Sequence, residues 1–194
     1  MARLFVAVEI EEPVRIAAAE AVERLRAQFS RRGVHLDARW VPADNLHITL
    51  WFIGEVDEVR AAAIASALQP PFPCEPFEVR IGGLGAFPPS GAPRVLWLGV
   101  PVGQEGLAAL HAETGARLGP LGLEAERRPY SAHVTIGRVK DAPRGAGAIV
   151  RDVLAGIPAD AGRMTASAVT LFRSRVSSRG STYEPVARVP LGSP

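Results

Sequence analysis

Short apolar runs alternate with amphipathic stretches along the chain. Residues 4–8 form an apolar run too short for a helix and rich in β-formers, which predicts a buried strand. Pro13 then stands at a first-turn position, and Ile16, Ala19, Val22, Leu25 and Phe29 recur at helical spacing, predicting an amphipathic helix that ends near Gly33. An extended piece over 38–41 leads through the turn at 42–45 into a strand over 46–52, stopped by Gly54. Residues 56–68 read as a second helix, ended by Pro70 and Pro71. A strand over 77–81, a long loop over 82–93, a strand over 95–100 and a helix over 104–118 follow. Residues 127–130 are expected to be extended, 132–139 a strand and 147–154 a short helix. Strands over 164–172 and 183–189 flank a polar turn at 173–181. This alternation of strands and helices argues for the α/β or α+β class.

The 194 residues suit one domain or two small lobes sharing a core. The apolar and charged fractions, 47% and 22%, lie outside the range of disordered chains. No apolar run approaches the roughly 20 residues of a membrane helix, and Glu9, Glu11 and Glu12 break the first apolar segment, so no signal peptide is expected and the chain reads as cytoplasmic. Cys74 is the only cysteine, which removes internal disulfides and all-cysteine zinc sites. The net charge is only +2, but all basic residues except Lys140 are arginines, the side chain suited to planar contact with phosphate.

Two of the four histidines share a local pattern, His47-Ile48-Thr49-Leu50 and His133-Val134-Thr135-Ile136. A strand has a side-chain period of two, so each histidine and its threonine share one face about 7 Å apart, while the apolar partners face the core. The two motifs fall one near the middle of each half of the chain. His35 reads as a surface-loop residue and His111 as a helix-face residue, and neither is assigned a role.

Paired imidazoles with ordinary pKa values near 6.5 can act as a general base and a general acid on either side of one reacting centre. Paired hydroxyls can donate to an anion held between them, and a phosphodiester supplies that anion together with an in-line leaving group. Arg138 is the obvious cation for the charge that develops, although an ideal strand puts it on the face opposite His133, so its role requires a bulge or strand end near Gly137. A catalytic zinc would need three protein ligands, and neither motif offers an acidic residue or a His-x-His pair, so no metal or other cofactor is expected.

The two motifs, with Arg3-Leu4-Phe5-Val6-Ala7-Val8, Arg39-Trp40-Val41-Pro42, Val95-Leu96-Trp97-Leu98-Gly99 and Val169-Thr170-Leu171-Phe172-Arg173-Ser174, resemble the two-histidine phosphoesterase superfamily. More closely, they resemble its RNA 2′,3′-cyclic phosphodiesterases, historically called 2′-5′ RNA ligases. The resemblance implies an α+β fold over 1–194 as a single bilobal domain, pseudo-two-fold symmetric, with two antiparallel sheets and outer helices around a central cleft. It implies metal-independent hydrolysis of a 2′,3′-cyclic phosphate, on RNA ends or nucleotides, to a 2′-phosphate. In that reading His47 is the acid, His133 the base, Thr49, Thr135 and Arg138 bind phosphate, and Phe52 stacks on a base. By strand parity Phe52 lies on the Leu50 face, away from His47, so this placement also needs a distortion. The family usually has proline directly before the second histidine, where this chain has Ala132. The chain is expected to be a monomer without membrane contacts. A noncatalytic nucleotide-binding module and reversible 2′-5′ ligation are the alternatives.

Overall fold

The structure is a computed structural model and describes residues 1–124, 129–177 and 180–192. The expected extended piece at 127–130 therefore lies partly outside the described residues, including Arg127 and Arg128.

Among the described residues nine strands and four α-helices follow one another as β1 (Ala2–Glu9), α1 (Glu12–Arg31), β2 (Asp37–Trp40), β3 (His47–Val56), α2 (Glu58–Leu68), β4 (Phe77–Phe87), β5 (Val95–Val102), α3 (Gln104–Leu118), β6 (His133–Asp141), α4 (Ala146–Ala155), β7 (Asp160–Ala166), β8 (Ala168–Ser177) and β9 (Gly180–Pro190). The strands run in the order β7-β4-β5-β6-β3-β1-β8-β9, with β2 beside β6, and the strand pairs are antiparallel. One lobe is β3-β1-β8-β9 and the other is β7-β4-β5-β6 with β2. Among the described residues their strand ladders are joined by one residue pair, Ile48 with Val134, at the centre of the two His-x-Thr-x motifs. The bilobal α+β expectation is met, but the two expected sheets are joined through the motif strands into one nine-stranded antiparallel sheet.

The lobes do not coincide with the halves of the chain. α1 follows β1 yet packs on β7 of the other lobe, and α3 follows β5 yet packs on β3. The β8–β9 hairpin returns to β1. Pairing of β1 with both β3 and β8 buries Leu4, Val6 and Ala7, which alternation along the chain cannot assign to a lobe.

Most element positions agree with the apolar pattern, and the exceptions have local causes. The core-facing residues of α1 are Val14, Ala18, Ala21, Val22, Leu25 and Phe29, while Ile16 is 53% exposed, so the buried stripe is rotated from the one read through Ile16 and Ala19. Strand β4 continues through the expected loop to Phe87 because its glycines admit neighbours: a Cβ on Gly85 would collide with the Trp97 indole. The expected strand 164–172 is two strands broken at Ser167, and the expected turn 173–181 is mostly ladder between β8 and β9. α2 is capped by Asp57, whose side chain accepts the Arg60 amide at 2.7 Å, a cap that contributes about 1 kcal/mol.

Candidate active site

Both motif strands are bulged at the same place. In β3, Val6 pairs with Trp51 and Ala7 with Thr49, so Leu50 is an extra residue. In β6, Leu96 pairs with Gly137 and Trp97 with Thr135, so Ile136 is the extra one. A bulge sets two residues against one and resets the parity of everything beyond it. Leu50 and Trp51 are accordingly both buried, as are Ile136 and Gly137, and the next residues emerge on the histidine face. Phe52 is 55% exposed and Arg138 is exposed. Each strand thus presents histidine, threonine and a third group, Phe52 or Arg138, five residues beyond its histidine. Strand β3 does not stop at Gly54; a second irregularity there, with Gly54 at φ +87°, carries the strand on to Val56.

The Leu50 bulge is held from outside the sheet. Tyr130 donates its hydroxyl to the Thr49 carbonyl at 3.1 Å, and His111 Nδ1–H donates to the Leu50 carbonyl at 2.7 Å. The two rings stack with centroids 4.4 Å apart. His111, assigned no role from the sequence, supplies a partner that the bulge carbonyl lacks in the ladder. Burial raises the Tyr130 pKa, which keeps the hydroxyl a donor.

The register Ile48–Val134, continued one residue in each direction, sets His47 opposite Thr135 and Thr49 opposite His133. His47 Nδ1 lies 2.7 Å from the Asn45 carbonyl and His133 Nδ1 lies 2.7 Å from the Ser131 carbonyl. A carbonyl only accepts, so Nδ1 carries the proton in both rings and Nε2 is the atom left for chemistry. Each ring is also wedged by aromatics: Phe5 and Tyr183 lie 4.8 and 5.3 Å from His47, and Phe87 lies edge-on 5.2 Å from His133.

Burial pushes the His47 pKa down to about 4, opposed by its bond to Asn45 and aided by the charges of Arg138 and His133. Burial, then Arg138, also lowers His133, against the bond to Ser131. Both rings are therefore mainly neutral at pH 7 in the unliganded protein. Between pH 6.5 and about 4 the unfolded chain binds a proton at this position that folded His47 refuses, so stability present above pH 6.5 is lost as pH falls. The melting temperature should drop between pH 7 and pH 4.5, and less so in His47→Asn. Parallel slopes in a thermal melt series would contradict this.

A cavity of about 550 Å³ is lined by His47, Thr49, Phe52, Thr135 and Arg138, together with Arg3, Arg39 and Tyr183. It adjoins a second cavity of about 270 Å³, which shares Thr49 and Phe52 and contains His133, Phe87, His111 and Tyr130. Five of the six site candidates thus line the first cavity, and the sixth, His133, lines the second, which shares Thr49 and Phe52 with it. Arg3, Phe5, Tyr183 and Phe87 were missed as site residues, because only pairing between distant strands brings them in. A larger groove of about 780 Å³ beside α1 contains none of the six. Among the described residues no cluster of three His, Cys, Asp or Glu is placed to hold a metal ion, and no helix is long and apolar enough to cross a membrane.

Similarity to known proteins bears on the chemistry of this cleft. The family profile described as the 2'-5' RNA ligase superfamily matches residues 13–177. The RNA 2',3'-cyclic phosphodiesterase of Aeropyrum pernix is 34% identical over 170 residues, covering 88% of this chain and 94% of that protein. A crystal structure of a Thermus thermophilus protein superposes with a TM-score of 0.73 at 29% identity, covering 97% of both chains. The structure of E. coli LigT complexed with 3'-AMP superposes with a TM-score of 0.70 at 26% identity, covering 99% of this chain and 98% of that one.

Proposed function

The chain belongs to the 2′-5′ RNA ligase superfamily, and from that premise we propose that it hydrolyses the 2′,3′-cyclic phosphate end of an RNA or nucleotide to a 2′-phosphate, without a metal, through His47 and His133. Its enzyme class, RNA 2′,3′-cyclic phosphodiesterase, follows from relatives of that name at 34 to 40% identity. The observation that carries the mechanism is the matched pair of Nδ1–H bonds to the Asn45 and Ser131 carbonyls, each 2.7 Å, which leaves two Nε2 atoms on one cleft.

In the proposed step His133 Nε2 takes a proton from water as the water oxygen attacks phosphorus. The bond from phosphorus to O3′ breaks, and His47 gives its proton to O3′. Thr49 and Thr135 donate to the nonbridging oxygens, and Arg138 meets the added charge of the transition state. The free protein holds His47 neutral, so the acid form arises in the complex. The bound phosphodiester anion offsets the Arg138 charge and itself favours imidazolium, against the burial and neighbouring charges that lower His47 in the free protein. The same arrangement with a ribose hydroxyl in place of water is 2′-5′ ligation. The chain is read as a cytoplasmic monomer, with 1–194 acting as one domain.

The test is turnover of adenosine 2′,3′-cyclic phosphate in excess EDTA. The expected product is 2′-AMP, at a rate unchanged from EDTA-free buffer. Loss of turnover in EDTA would sink the metal-free mechanism, and binding of AMP without turnover of any cyclic phosphate would assign the cleft to a noncatalytic module. Phe52 faces the cleft with over half its surface free to stack on a base. Base stacking contributes about 1–3 kcal/mol, so Phe52→Ala should raise KM about 5- to 150-fold with kcat little changed. Steady-state kinetics on the same substrate would show a kcat effect instead if Phe52 served the chemistry.

A further inference from the structure

The reaction above uses one guanidinium for one phosphate, yet the cavity around His47 holds three, Arg3, Arg39 and Arg138, and no carboxylate lines it. All three are exposed. Elsewhere on the surface many guanidiniums are paired with carboxylates, as in Arg15–Asp44, Arg163–Glu78, Arg173–Glu58 and Arg188–Glu9, or bonded to backbone carbonyls, as are Arg60, Arg94 and Arg151. None of the ion pairs among the described residues involves Arg3, Arg39 or Arg138.

Strand register spreads these cations along the wall. Arg39 on β2 is the direct cross-strand partner of Arg138 on β6. Like charges directly opposed across an antiparallel pair are destabilising. An anion over the pair removes that cost, and a single phosphate group already committed to Thr49, Thr135 and Arg138 leaves Arg39 uncompensated. Arg3 stands two residues along β1 from Phe5, the ring packed against His47, and so about 7 Å further out on the same face. Its cross-strand neighbour is Glu55, and no ion pair among the described residues joins the two. Arg39 therefore stands beside the arginine that meets the reacting phosphate, and Arg3 carries positive charge further along the cavity wall.

We propose that Arg3 and Arg39 form a second phosphate subsite, which holds the phosphodiester preceding the cyclic end of an RNA strand. The claim rests on the cyclic-phosphodiesterase reading above. It makes a strand end, with a phosphate on each side of its last ribose, a better substrate than a mononucleotide.

The experiment compares kcat/KM for three substrates: adenosine 2′,3′-cyclic phosphate, the same compound bearing a 5′-phosphate, and an adenosine tetranucleotide ending in a 2′,3′-cyclic phosphate. Each is measured with the wild type, Arg3→Ala, Arg39→Ala and the double variant, across a salt series. The tetranucleotide should exceed the mononucleotide in the wild type. That ratio should fall by about tenfold for each arginine removed, the scale of one charge-assisted contact. The slope of log kcat/KM against log salt for the tetranucleotide should flatten by about 0.7 per lost phosphate contact. Lysine at either position should restore most of the slope. An unchanged ratio in the double variant overturns the proposal. A proportional loss on all three substrates also overturns it, because the arginines would then serve the reacting phosphate. The 5′-phosphate puts a phosphate at that same position, so it should recover much of the tetranucleotide advantage in the wild type and not in the double variant, and no recovery in the wild type overturns the proposal. Absence of turnover with every substrate in the wild type instead overturns the hydrolase reading on which the subsite stands.

Discussion

Replacing either His47 or His133 with alanine should lower kcat for a 2′,3′-cyclic phosphate by about 10²–10⁴-fold, the range of one positioned acid or base. The double variant should be little worse than the single ones, because groups that act on the same proton inventory are not additive. Folding should survive. His47→Ala leaves the Asn45 carbonyl without its 2.7 Å donor, a cost of about 1–3 kcal/mol against a typical stability of about 5–15 kcal/mol. Circular dichroism and kcat measured on the same preparations separate the two effects, and near-wild-type turnover in either variant would remove that histidine from the mechanism. The pH profiles carry the same prediction further. kcat/KM reports the free protein, where His47 is lowered to about 4 and His133 is lowered as well, so its alkaline limb should lie on the acid side of 6.5. kcat reports the complex, where the bound anion favours imidazolium, so its alkaline limb should lie at higher pH. Coincident limbs would mean that the phosphate does not touch the acid.

Arg138→Ala should lower kcat/KM by about 10²–10³-fold, comparable to the loss of one donor aimed at developing charge. The loss should fall on kcat as well as KM, because the transition state carries more charge than the bound ester. Arg138→Lys should recover only part of it: the guanidinium is a planar fork that meets two oxygens, and an ammonium is a point charge on a flexible stem. The substitution should be nearly neutral for stability, since Arg138 is exposed, makes no ion pair among the described residues, and faces Arg39 across the ladder. A kcat/KM within about threefold of wild type for the alanine variant would return Arg138 to the ordinary surface.

These predictions differ in how much of their basis was visible before the fold was known. That His47 and Thr49, or His133 and Thr135, share a face follows from the period of a strand and needs no tertiary information. The faces of Phe52 and Arg138 do not follow. Simple parity assigns both to the core side, and the extra residues Leu50 and Ile136 reverse it. A bulge is a relation between two strands, so one strand's alternation cannot report it. The nearest local hint was Gly137, the residue at which a bulge was required for Arg138 to reach the site. His111 was unreadable for the same reason, because the Leu50 carbonyl it holds lies 61 residues away in sequence. The stripe on α1 was misplaced by Ile16 because an alanine-rich helix offers several apolar stripes and the partner surface selects one.

The chain by itself determined the candidate reacting groups and their local arrangement. Alternation placed the strands that bear them, the His-x-Thr-x spacing set imidazole beside hydroxyl, and the lone Cys74 left no material for an internal disulfide or an all-cysteine zinc site. Tertiary structure alone decided that the two motifs lie against each other at Ile48–Val134, that bulges turn Phe52 and Arg138 into the cleft, and that Arg3 and Arg39 join them. The physical reason is range. Side-chain direction within a strand is set by covalent geometry over a few residues, whereas register, bulges and the exchange of α1 and α3 between lobes are set by pairing energies summed over segments far apart in the chain.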